Sequence, residues 1–132
     1  MSIIKSLLVT SIFIFTLSGC VQDIDDSISN YRQVSHQISL GDSRAEVVPI
    51  LSAAMKDLGG EYRKGPESYI KDGIKVEIYY ARTLRQADGL TTDDEFTPYV
   101  FNNGKLVGIG WTSLGGSSSQ GQAQSTTTVI IN

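Results

Sequence analysis

The sequence predicts an α+β domain: two N-terminal helices packed on a three-stranded antiparallel sheet, followed by a flexible C-terminal tail. Three observations lead there. Apolar residues recur at helical spacing through the front half, polarity alternates from Lys75 to Tyr80, and Asn103-Gly104 stands between two apolar runs. The chain has 132 residues, 40% of them apolar and 19% charged, which is the size of one domain. Helices first and strands afterwards favour segregated layers over an alternating α/β fold.

The first helix rests on Ile24, Ile28, Tyr31, Val34 or Ser35, and Ile38, a single apolar stripe. Asp23, Asp25 and Asp26 lie near its start, where carboxylates face unpaired amides. Leu40-Gly41-Asp42 interrupts that pattern. Ser43-Arg44-Ala45-Glu46 has the spacing of a capping box, which opens a second helix carrying Val47, Val48, Ile50, Leu51, Ala54, Met55 and Leu58. Pro49 should kink this helix, and Gly59-Gly60 should close it. Residues 61–73 combine Gly65-Pro66, charges and Asp72-Gly73, and read as a connection with Tyr62 and Tyr69 closing over the core edge.

Strand signals fill the back half. Val76, Ile78 and Tyr80 share one face of the first strand and Tyr79 the other. A polar excursion follows, and then Tyr99-Val100-Phe101-Asn102 and Lys105-Leu106-Val107-Gly108-Ile109 flank Asn103-Gly104. Both turn residues tolerate positive φ, so a two-residue hairpin is expected. That turn places Phe101 opposite Leu106 and Tyr99 opposite Gly108. Residues 115–132 lack charge and end in Val129, Ile130 and Ile131. The segment has too few apolar residues to order itself by burial and is expected to be a low-complexity tail. Its apolar terminus is a candidate for strand addition to a partner.

The N-terminus bears on location. A charged start ending at Lys5 precedes the apolar run Leu7 to Leu17. Eleven helical residues reach only about 16 Å, half of a bilayer core. The run therefore reads as a cleavable export signal. Leu17-Ser18-Gly19-Cys20 resembles the lipobox of bacterial lipoproteins, which implies cleavage before Cys20 and acylation of its thiol. Several acyl chains make a durable membrane anchor. The expected organisation is therefore 1–19 signal peptide, 20–23 lipidated tether, 24–114 folded domain and 115–132 tail. Cys20 is the chain's single cysteine, so no intramolecular disulfide can form. By the same resemblance, Val21 in place of an aspartate implies the outer membrane, facing the periplasm, with inner-membrane anchoring as the alternative.

Catalytic signatures are missing from the pattern. His36 is the one histidine and has no companion at metal-ligand spacing. No nucleophile elbow or glycine-rich phosphate loop is present. Asp93-Asp94-Glu95 with Asp88 lacks the alternating oxygen ligands and central glycine of a calcium loop, and reads as a solvated, negatively charged turn. With 11 Lys and Arg against 14 Asp and Glu, the net charge of -3 offers no footprint for nucleic acid. The sequence implies no enzyme, no cofactor and no metal. Candidate partner-binding residues are Tyr79, Val100 and Val107 on the sheet, Asp93, Asp94 and Glu95 on the acidic loop, and Val129, Ile130 and Ile131 in the tail.

The order of these motifs resembles the SmpA/OmlA family of small outer-membrane lipoproteins, the BamE-like superfamily. It runs from the lipobox through Ile38-Ser39-Leu40-Gly41 and Ser43-Arg44-Ala45-Glu46-Val47 to Val76-Glu77-Ile78-Tyr79-Tyr80. It closes on Thr97-Pro98-Tyr99-Val100-Phe101-Asn102-Asn103-Gly104-Lys105-Leu106-Val107, where Phe101, Gly104 and Leu106 match the family's F-x-x-G-x-L ending. The resemblance implies two helices followed by three strands. It also implies a non-enzymatic envelope lipoprotein that binds or stabilises another envelope protein, in outer-membrane assembly or maintenance. The alternative is an inhibitor or immunity-type lipoprotein whose acidic loop blocks an exported enzyme.

Overall fold

In the computed structural model the described residues are 19–115. The expected signal peptide up to Ser18 and the tail beyond Gly115, with Val129, Ile130 and Ile131, lie outside them. Two helices, α1 (Gly19–Val34) and α2 (Arg44–Ala54), precede four strands: β1 (Glu67–Lys71), β2 (Ile74–Arg82), β3 (Phe96–Asn102) and β4 (Lys105–Ile109). The strands form one antiparallel meander in the order β1-β2-β3-β4. The fold is α+β, with four strands rather than three.

The α1 stripe packs as its spacing requires, burying Ile24 and Ile28 with Tyr31 against the core. The helix begins at Gly19 and so includes residues 20–23, which the sequence suggested as a tether. It ends at Val34, and a short 3₁₀ turn, Ser35–Gln37, carries exposed His36 before Ile38 returns to the core. Ser43 caps α2 reciprocally. Its Oγ accepts from the Glu46 amide at 3.2 Å, and the Glu46 carboxylate accepts from the Ser43 amide at 3.1 Å. These bonds hold the Glu46 carboxyl below its ordinary value.

Pro49 lies inside α2, which stops at Ala54 rather than near Leu58. Arg63 accounts for the earlier stop. Its guanidinium donates to the carbonyls of Leu58 (2.7 Å), Lys56 (3.2 Å) and Met55, fixing the segment after Ala54 in a non-helical path.

The additional strand is β1. Asp72-Gly73 is a two-residue hairpin turn with φ of 49° and 76°, and it pairs Lys71 with Ile74. The same device closes β3 on β4 at Asn103-Gly104. Phe101 faces Leu106 as expected, but Val107 is then an extra residue, so Val100 meets Gly108 and Tyr99 meets Ile109.

Both faces of the sheet are packed. On one, Ala81, Tyr99, Phe101 and Leu106, joined by half-buried Tyr79, meet Val47 and Leu51 of α2 and Met55 and Leu58 of the segment after it. On the other, Val76, Ile78, Tyr80, Phe96 and Val100 gather under Trp111. A 3₁₀ turn, Trp111–Leu114, folds back over this second face, and the indole N–H donates to the Phe96 carbonyl at 2.9 Å. Gly108 permits that approach, because a Cβ there would lie 2.4 Å from the Ser113 Cβ.

Candidate interaction surface

The acidic run does not form a solvated patch. Glu95 has 0% exposure and pairs with Arg82, itself 1% exposed, at 3.0 Å. The carboxylate also accepts from the amides of Gln86 (2.8 Å) and Thr92 (2.9 Å), while its carbonyl accepts from Thr83 and Leu84. Arg82 completes its donors on the carbonyls of Tyr62 (3.0 Å) and Leu84 (3.3 Å). Burial pulls the Arg82 guanidinium down from its ordinary value, and the neighbouring Glu95 charge opposes that shift. Residues 83–95 are thus folded around one buried ion pair.

Its neighbours are also engaged. Asp93 pairs with Lys64 at 3.0 Å, and Asp94 accepts from Gln86 and Thr92. Asp88 accepts from the Leu90 amide at 2.9 Å in a local turn. Among the described residues no group of three or more His, Cys, Asp or Glu is placed to hold a metal ion. A carboxylate that already carries its counter-charge has little left to steer a cationic partner.

The sheet candidates separate. Tyr79 shares the helix-facing side, where its hydroxyl meets Ser52 Oγ at 2.9 Å. Val100 is 6% exposed beneath Trp111, because the chain after β4 covers the face on which a free patch was expected. Val107 is 48% exposed, as the extra residue of the bulge. It has apolar company that the sequence did not mark. Ile109 is exposed on the same strand. The Gly41 amide, bonded to the Leu106 carbonyl at 2.8 Å, brings exposed Leu40 to the same margin. Elsewhere, exposed Leu84 and the Arg85–Asp25 ion pair (2.9 Å) border a groove of about 260 Å³ beside α1, with Ile28, Ser29 and Arg32.

Cys20 is the second residue of α1. Ile24, a buried apolar side chain, lies four positions further on, an axial rise of about 6 Å. No helix among the described residues is long and apolar enough to cross a membrane.

What these features define is a small α+β domain whose sheet is covered on both faces. Exposed apolar residues lie at both sheet edges (Leu40, Ile70, Val107 and Ile109), on α1 (Val21) and in the 83–95 loop (Leu84 and Leu90). The chain belongs to the DUF3192 family of proteins of unknown function, whose family model matches residues 20–115. Comparison with curated proteins and with solved structures finds no match.

Proposed function

We propose that this DUF3192 protein is a non-enzymatic lipoprotein of the bacterial envelope, anchored through acylated Cys20 and binding or stabilising another envelope protein. One observation carries the reading. Leu17-Ser18-Gly19-Cys20 closes an apolar run too short to span a bilayer, and the family match opens on that same cysteine. The residue that would receive lipid is thus the first residue of the shared domain.

Anchoring at the second residue of α1 holds the domain within about one helical turn of the membrane. Confinement to a surface raises the effective concentration for a membrane-bound partner, so a small contact area suffices. The margin bearing Leu40, Val107 and Ile109 supplies that contact: exposed, apolar and flanked by ordered backbone. The helix-helix-strand order and the Phe101, Gly104 and Leu106 motif support a relation to the BamE-like lipoproteins and a role in outer-membrane assembly or maintenance.

A photo-crosslinking amino acid tests the contact in intact envelopes. At Val107 or Ile109 it should give one discrete adduct, and at buried Val100 none. Adducts missing from both exposed positions, or equally abundant from all three, would overturn the assignment of this margin.

A further inference from the structure

We propose that β1 is a self-association edge, at which two copies of the chain pair antiparallel about Tyr69 and join their sheets. The two edges of the sheet are treated differently. Along β4, the 41–44 segment occupies outward backbone groups. Leu106 donates to the Asp42 carbonyl at 2.9 Å, and the Gly104 carbonyl accepts from the Arg44 amide at 2.8 Å. Among the described residues β1 has one neighbour, β2, and its far side is open.

The direction of its free groups follows from β2. The Lys75 carbonyl accepts from the Asn103 amide at 2.8 Å, and the Lys75 amide donates to Asn103 Oδ1 at 3.0 Å. Both backbone groups of Lys75 therefore point toward β3. Its partner across the hairpin is Ile70, so that pair exchanges no backbone hydrogen bonds. The N–H and C=O of Ile70 then face the open side, and alternation places those of Ser68 there as well.

A second β1 satisfies all four groups in one register, with Ser68 opposite Ile70 of the other copy in both directions and Tyr69 on the two-fold axis. In that register Glu67, which is partly exposed and 3.6 Å from Lys64 Nζ of its own chain, too long for a hydrogen bond, lies opposite Lys71 of the other copy, twice. The competing registers fail locally. Placing Ser68 on Ser68 sets Pro66, which has no N–H, against Ile70. Placing Ile70 on Ile70 sets Asp72, held in the turn at φ 49°, against Ser68. Charge and backbone therefore select the same alignment. It also covers Ile70, which at 69% exposure is the most exposed large apolar side chain among the described residues. The proposal does not depend on lipidation.

The register is testable with the full chain. Non-hydrogen-bonded pairs hold their Cα atoms about 4.5 Å apart, within disulfide reach. In a full chain that also carries Cys20→Ser, so that no other thiol is present, Tyr69→Cys under mild oxidation should yield a disulfide-linked dimer. Ser68→Cys, offset by two residues from its copy, should yield far less. In chains retaining Tyr69, sedimentation should show self-association weakened roughly tenfold by Glu67→Lys or by Lys71→Glu, since each sets like charges opposite twice. An equimolar mixture of those two variants should restore it, because opposite charges then face again. Equal linking at positions 68 and 69 would overturn the proposal. So would a natural chain that sediments as a monomer up to its solubility limit, or a mixture no better associated than either variant alone.

Discussion

Arg82 and Glu95 illustrate how three adjacent carboxylates, alike in sequence, take different roles. Asp93, Asp94 and Glu95 are consecutive carboxylates, yet Glu95 is fully buried while Asp93 and Asp94 are partly exposed beside polar neighbours. The distinguishing signal was Thr92 three residues before Glu95, the spacing of a reciprocal turn, which the structure forms. Arg82 gave a second signal, as a charge that follows the apolar run Ile78-Tyr79-Tyr80-Ala81 at the end of β2. Every buried side-chain nitrogen and oxygen among the described residues has a partner, so removing one partner strands the other. Glu95→Gln leaves the Arg82 charge uncompensated and should cost about 3 kcal/mol, read as a lower urea midpoint at unchanged slope. Asp94→Asn, nearer the solvent, should shift the midpoint far less.

The helices were legible because their signals are local. The Ser43–Glu46 box and the Asn103-Gly104 turn each lie within a few residues and formed, and the α1 stripe formed from Ile24 to Val34, with Ile38 beyond the helix end. β1 was not legible, since Glu67-Ser68-Tyr69-Ile70-Lys71 is short, polar at both ends and lies at an edge, where no alternation is imposed. Asp72-Gly73 was the available clue, and it marked a hairpin rather than the end of a loop. The bulge after Phe101 and the return of Trp111 were hidden for another reason. Both depend on contacts between β4 and the segment that follows it, which no pattern within one strand encodes. Gly108 records that return: its missing side chain is the space Ser113 occupies. Gly108→Ala should destabilise by about 1–3 kcal/mol through overpacking, and Ser113→Gly in the same chain should recover most of the loss in a thermal melt.

Across the molecule, each face of the sheet holds a phenol that resists ionisation. Burial, reinforced by the Glu67 carboxylate, drives Tyr80 well above its ordinary value of 10.0. Burial, with the hydrogen bond to Tyr31, does the same for Tyr99. A folded-state value above the unfolded one gives stability that is complete below pH 10.0 and declines as pH rises beyond it. Melting temperature should therefore fall between about pH 10 and pH 11, and Tyr80→Phe should flatten that fall. The proposed lipidation of Cys20 rests on the Leu17-Ser18-Gly19-Cys20 ending and on the family match. Intact mass spectrometry of the protein recovered from its native envelope tests it most directly. The expected species is a chain that begins at Cys20 and carries the added mass of acyl groups on that residue. A chain retaining residues 1–19, or one beginning at Cys20 with a free thiol, would contradict it.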